Sequence, residues 1–320
     1  MIITVTPNPA LDLTWTVDRF TPGASHRAPT GSARAGGKGL NVARVLNSVN
    51  VPVLAIATAG GATGDEFLAE LRTSGVPHKI VPVAAETRRS IAIVDRETGQ
   101  ASVLNEVGQP LTGHESEQFE TSIARFSSSG DVVVFSGSLP AGYTPHRLSR
   151  LIASRKAEGC LVIVDTGGEG LIAAAQAGAH ALKPNREELA EATGFSDPLD
   201  GARSLIALGA RLVVVSLGEE GLTIVISASR ADDINARLPE PIHGNATGAG
   251  DAVVAALAQA WSENPLLDHP EQIAARVALA RRATAWSASA VLMPVAGELS
   301  PRRVELEEDV IVSMTHKENR

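Results

Sequence analysis

The sequence predicts an α/β fold: a mostly parallel sheet flanked by helices on both faces, with a small β-sheet lid. Three observations predict it. Short β-branched runs recur at 2–5, 53–57, 132–135, 161–164 and 212–215, without the polar alternation of a half-exposed sheet. Between most of them lie segments with helical spacing, such as Val42, Val45, Leu46 and Val49. Finally, hydrophobic residues make up 44% of the chain but aromatics only 3%, so the core is built from Ala, Val, Leu and Ile. That composition suits parallel strands packed under Ala-rich helices.

A length of 320 residues fits one large domain or two ordinary ones. No linker, charge block or internal repeat divides the chain, so one domain over 1–320 is expected. The net charge of −8 argues against nucleic-acid and anionic-membrane partners, while leaving room for a small anionic ligand beside a local basic cluster. The amino terminus has no signal-like apolar core, and no run reaches the roughly 18 apolar residues of a membrane span. A cytoplasmic protein is expected. The single cysteine, Cys160, precedes an apolar run and reads as a buried thiol.

In chain order, the first strand exits into TPNPALD (6–12), where two prolines stiffen the turn before Asp12. A carboxylate there can accept hydroxyl hydrogen bonds from a polyol, or simply serve the turn. Residues 11–35 alternate in part, at Leu11, Leu13, Trp15 and Val17, which is a strand pattern outside the main rhythm. AGGKGLNVAR (35–44) then opens a helix. Gly36, Gly37 and Gly39 permit close backbone approach, and Lys38 and Asn41 can reach hydroxyls or phosphate; a tight turn with a solvated lysine is the plainer reading. In the similar stretch ATGD (62–65), Asp65 reads as a helix cap.

Residues 88–105 read as a hairpin turning near Glu97 and Gly99. With 11–35 it would make the lid, or else edge strands extending the main sheet. Arg88 enters this hairpin, and alternation sends Arg89 to the other face. SGSLPAG (136–142) follows the 132–135 strand, and KPNREEL (183–189) opens another helix with Asn185 as cap and Glu188 in its first turn.

SLGEEG (216–221) follows the 212–215 strand, and NATGAGD (245–251) leads into the helical stretch 252–261. Small residues turn backbone N–H groups toward an anion, and the helix terminus adds positive potential. A carboxylate beside such a site repels the ligand, unless it takes the proton of a hydroxyl attacking phosphorus. The pattern alone leaves Asp251 either that base or a helix cap. Neither a Walker A ending nor dinucleotide-type glycine spacing is present, and the eight histidines show no zinc spacing.

Taken in order, TPNPALD, GGKGLNVAR, SGSLPAG, KPNREEL, SLGEEG and NATGAGD resemble the landmarks of the ribokinase-like (PfkB) carbohydrate kinases over nearly the whole chain. The opening motif, the GGKG form and Glu86-Thr87-Arg88 resemble the branch of 1-phosphofructokinases and tagatose-6-phosphate kinases. The resemblance implies a Rossmann-like body with a β-lid, a homodimer formed through that lid, and transfer of the ATP γ-phosphoryl group to a phosphorylated hexose with Mg²⁺. It implies Asp251 as general base, with the N–H groups of Gly248, Ala249 and Gly250 as anion hole. Asp12, Gly37, Lys38 and Asn41 would face the sugar, with Arg88, Lys38 and Ser138 on its phosphate. Lys183, Asn185, Ser216, Gly218 and Gly221 would face the nucleotide, and Asn185 and Glu188 would hold Mg²⁺ through water.

Fructose 1-phosphate is the expected acceptor, with tagatose 6-phosphate as alternative and a non-catalytic sugar-phosphate-binding regulator further off. Asn245 stands where many relatives carry an acid, so activation by a monovalent cation is not implied. Residues 280–290, with Trp286, are bulkier than the expected adenine wall; a core position for Trp286 is expected.

Overall fold

The computed structural model describes residues 1–229 and 232–314. In chain order its first half runs β1 (Ile2–Thr6), β2 (Ala10–Val17), β3 (Ser32–Gly36), α1 (Lys38–Ser48), β4 (Val53–Ala59), α2 (Gly61–Thr73), β5 (His78–Pro82), β6 (Arg88–Asp95), β7 (Ala101–Asn105), α3 (Gly113–Phe126) and β8 (Val132–Ser136). It continues with α4 (Pro145–Ala157), β9 (Leu161–Asp165), α5 (Gly168–Gln176), β10 (Ala181–Leu182), α6 (Arg186–Thr193), α7 (Pro198–Leu208), β11 (Leu212–Ser216), β12 (Leu222–Val225) and β13 (Ile234–Arg237). Then follow α8 (Ala249–Glu263), α9 (Ile273–Val291), α10 (Arg303–Asp309) and β14 (Ile311–Met314).

The main sheet has ten strands in the order β14-β13-β12-β11-β10-β9-β8-β1-β4-β5. From β11 to β5 every pairing is parallel; β12, β13 and β14 continue it antiparallel. The sequence gives no clear sign of that antiparallel flank, because its strands are short and follow one another without helical spacing. Successive strand residues serve two cores. Ile2, Val132, Val134, Ile163, Leu212 and Val214 pack with α1, α8 and α9 on one face. Ile3, Val133, Phe135, Val162, Val164, Val213 and Val215 pack with α3, α4, α5 and α7 on the other. Burial on both faces explains the unbroken apolar runs. Trp286 is buried in the first core, as expected.

A separate sheet of four strands, β3-β2-β6-β7, gathers both lid segments, so they do not extend the main sheet. The 88–105 hairpin forms as expected, with Gly99 at φ 72° in its turn. Its link to the earlier segment is parallel: Ala10 pairs with Arg88 and Asp12 with Ser90.

Asp65 does not cap α2. The cap position is Gly60, and Asp65 lies exposed in the second turn of the helix.

Candidate active site

Five adjacent strands, β1, β8, β9, β10 and β11, bring their carboxyl ends to one edge of the main sheet. Such edges collect ligands in open α/β sheets. Ser136 ends β8, Asp165 ends β9, Lys183 directly follows β10 and Ser216 ends β11. Asp165 is fully buried, accepting a hydrogen bond from Ser136 Oγ at 2.9 Å and pairing with Lys183 Nζ at 3.3 Å and Lys38 Nζ at 3.4 Å. Burial pushes its carboxyl up, but Lys183, Lys38 and the Ser136 hydroxyl outweigh that and hold it below the usual carboxylate range.

Asp251 lies opposite, in the first turn of α8. The helix cap is Gly248, and no side chain caps it, which removes the capping reading of Asp251. The carboxylate instead accepts Asn41 Nδ2 at 2.8 Å and is 6% exposed. Burial and the nearby Asp165 charge raise its pKa from 3.8 to about 6, against the pull of Asn41, Lys38 and Lys183. A carboxylate so tuned is deprotonated at neutral pH yet basic enough to accept a proton.

The turn before it requires glycine: Gly248 has φ 88°, and a β-carbon there would lie 2.8 Å from Ala296 Cα. The N–H groups of Gly248 and Gly250 have no hydrogen-bond partner among the described residues, as befits a helix start. That of Ala249 bonds the Ala246 carbonyl at 3.2 Å, so it is less free than its neighbours. Lys183 lies beneath the loop, its Nζ 3.3 Å from where a β-carbon on Gly250 would sit.

Lys38, at the start of α1, is held by two carboxylates. Besides Asp165, its Nζ pairs with Glu188 Oε1 at 3.2 Å, which joins the ends of β9 and α6 through one cation. Asp165, burial notwithstanding, and Glu188 raise its pKa. Asn185 and Glu188 form a reciprocal capping box on α6, with Glu188 N donating to Asn185 Oδ1 at 2.7 Å and Asn185 N to Glu188 Oε2 at 2.9 Å. One face of Glu188 thus holds the helix while its other oxygen meets Lys38.

Beside these charges opens a cavity of about 490 Å³. Asn185, Ser216, Gly218, Gly221, Ala249 and Gly250 line it, whereas Lys183 and Gly248 do not. Its apolar wall comes from Leu222, Leu238, Ile242, Ala288 and Val291, which the sequence did not single out. Small residues of α9 face the cavity while Trp286 of the same helix turns into the core.

The small sheet carries a second group of the expected site residues. Asp12 is half-buried on β2, with Arg34 of β3 directly across from it. A β-carbon on Gly36 would collide with the Asp12 carboxylate, and Gly37 caps α1. Burial raises the Asp12 pKa to about 6, although Arg88, Arg34 and Arg44 draw it down. Arg88 is half-buried at the root of β6, donating to the carbonyl of Asn8 through Nε at 3.3 Å and Nη2 at 3.2 Å, and to that of Glu106 at 3.1 Å. Arg89 turns away toward Glu86 and Glu106. Ser138 joins this group through Asn8.

Asp165 and Arg34 were missed. The signal for Asp165 was present: LVIVD (161–165) is an apolar run ending in an acid at a strand's carboxyl end. Arg34 had none, since only strand pairing places it beside Asp12.

Asn245 donates its Nδ2 to the Pro294 carbonyl at 3.0 Å and accepts Thr247 N–H at 3.1 Å, clipping the loop without a charge. Three or more His, Cys, Asp or Glu groups do not converge as a metal cage among the described residues. No described helix is long and apolar enough to cross a membrane.

Residues 6–292 match the family described as pfkB family carbohydrate kinase. A 1-phosphofructokinase of Xanthomonas campestris is 38% identical over 296 residues, 89% of either chain. A tagatose-6-phosphate kinase of Staphylococcus epidermidis is 30% identical over 266 residues, covering 81% of this chain and 84% of that one. The crystal structure of phosphofructokinase-2 from Escherichia coli in complex with potassium superposes with a TM-score of 0.85 at 29% identity, over 96% of this chain and 97% of that one. A buried aspartate behind a glycine loop, a cavity at the carboxyl edge of a parallel sheet, and this match along most of its length agree: the chain belongs to the pfkB family of carbohydrate kinases.

Proposed function

We propose that the chain is an ATP-dependent 1-phosphofructokinase, moving the γ-phosphoryl group of ATP to the 6-hydroxyl of fructose 1-phosphate. The observation that carries the chemistry is Asp251, buried, uncapped and raised to about 6 beside the open N–H groups of Gly248 and Gly250. In this reading Asp251 takes the proton of the attacking hydroxyl, and Asn41 holds its carboxylate in register. The helix start and Lys183 receive the negative charge of the moving phosphoryl group. Asp12 orients sugar hydroxyls, while Arg88 and Ser138 hold the phosphate already present.

The donor set suits Mg²⁺ better than a metal that needs an all-protein cage. Asn185, Glu188 and Asp165 offer hard oxygens, few enough to leave the ion its waters and phosphate oxygens. When bound there, Mg²⁺ neutralises phosphate charge. The small sheet acts as the lid over the sugar. Its edge strand β7 is exposed throughout, with Val103, Leu104 and the following Val107 as apolar contacts, which suits a homodimer closed lid to lid. The same reading places the enzyme in the cytoplasm, where ATP is available.

Tagatose 6-phosphate is the second reading, supported by the similarity to the Staphylococcus epidermidis kinase. A coupled ADP-release assay with fructose 1-phosphate, tagatose 6-phosphate, fructose 6-phosphate and free sugars decides. The highest kcat/KM is expected with fructose 1-phosphate. A preference for tagatose 6-phosphate would replace the first reading with the second, and no sugar-dependent ADP with any of them would leave a binding protein.

A further inference from the structure

We infer that Asn8 is a positioning residue that assembles the seat of the substrate's existing phosphate, an inference that rests on the phosphate role of Arg88 and Ser138 proposed above. Those two residues come from distant segments, β6 and the loop after β8, and no hydrogen bond between them is seen among the described residues. Asn8 joins them. Its backbone carbonyl accepts two bonds from the Arg88 guanidinium, Nε at 3.3 Å and Nη2 at 3.2 Å. Its side-chain Nδ2 donates to Ser138 Oγ at 3.1 Å and to the Val107 carbonyl at 3.3 Å. One residue therefore fixes a guanidinium, a hydroxyl and the segment leaving the lid.

The chain is shaped around this junction. Pro7 and Pro9 fix the backbone on both sides of Asn8, so its carbonyl direction is set by the turn. Gly108 closes over it with φ 87°; a β-carbon there would lie 3.0 Å from Asn8 Oδ1 and 3.3 Å from Arg88 Cδ. By donating to the Ser138 oxygen, the Asn8 amide leaves the Ser138 proton free for an anion. Likewise, each of the three guanidinium nitrogens of Arg88 donates one bond to the carbonyls of Asn8 and Glu106, which locks its plane, reduces the rotamer freedom lost on binding and leaves one N–H on each terminal nitrogen for an anion. An aspartate at this position would keep the shape but set a carboxylate beside a dianion.

The test compares Asn8→Ala, Asn8→Asp, Gly108→Ala and Arg88→Ala by steady-state kinetics with fructose 1-phosphate, alongside thermal melting. Asn8→Ala should raise the KM for fructose 1-phosphate about fivefold, the scale of one lost hydrogen bond, with the KM for ATP unchanged and kcat nearly so. Asn8→Asp should raise it further, and Gly108→Ala should act in the same direction by displacing Asn8 and Arg88. Arg88→Ala should raise it most. An increased KM in Arg88→Ala with unchanged values in Asn8→Ala and Asn8→Asp would overturn the role of Asn8 while sparing the phosphate seat. If Arg88→Ala also leaves the KM unchanged, the seat itself is misplaced and both fall. A parallel loss of kcat, ATP affinity and melting temperature in both Asn8 variants would mark a purely structural residue and overturn the inference.

Discussion

Replacing Asp251 by asparagine separates catalysis from stability. Asparagine keeps the shape, and its Oδ1 can still accept the Asn41 Nδ2 bond, which measures 2.8 Å in the native chain. The proton acceptor is lost, so kcat should fall by about 10²–10⁴-fold, the usual contribution of a positioned base. Stability should move the other way. A folded-state pKa of about 6 against 3.8 means that the folded chain holds this proton more tightly than the unfolded chain. Stability therefore declines as pH rises between these values, and the full cost of about 3 kcal/mol is present above about pH 6. The neutral variant escapes that cost. It should resist urea better than the native protein at pH 8, with the advantage shrinking as the pH falls toward 4. Coupled ADP release and urea titration at both pH values measure the two effects. Turnover within about tenfold of native would refute the base, and a variant less stable than native at pH 8 would refute the burial argument.

The pH profile carries the same signature: kcat should decline as the pH falls through about 6, because Asp251 must be ionised to accept the proton. The kcat/KM for the sugar should fall more steeply, since free Asp12 also titrates near 6, whereas bound hydroxyls hold it ionised. Gly248→Ala forces an L residue into φ 88° and presses on Ala296; it should cost about 1–3 kcal/mol of stability and lower kcat more than it changes the KM for ATP, read from denaturation and steady-state rates. Leu104→Glu, at a side chain 66% exposed on β7, should yield a monomer by light scattering if the lid closes the dimer, and an unchanged mass would remove β7 from the interface.

The parallel body was legible because its strands are buried on both faces and therefore carry unbroken apolar runs, as at 132–135 and 212–215. The glycine loop and Asp251 were legible because contiguous residues build them. What escaped depends on pairing between distant segments. Arg34 gains its place only because Ser32–Gly36 lies across from Asp12. The two carboxylates that hold Lys38, Asp165 and Glu188, arrive from two other elements. The choice between base and cap at Asp251 turned on where α8 begins. Helix starts are read from sequence with an uncertainty of a few residues, and the cap fell on Gly248.

The parallel pairing of Ala10–Val17 with Arg88–Asp95 carries a consequence for how the chain folds. Parallel neighbours cannot be joined by a tight turn; here the crossover runs through β3, α1, β4, α2 and β5. Pairing across so long a crossover is slow relative to local contacts. The cavity at the sheet edge is drawn from residues 185–291 and contains no part of that crossover. The helix α8, which brings Ala249 and Gly250 to the cavity, packs on α1 of that same crossover, so the geometry of the small sheet and that of the cavity are tied through one helix pair.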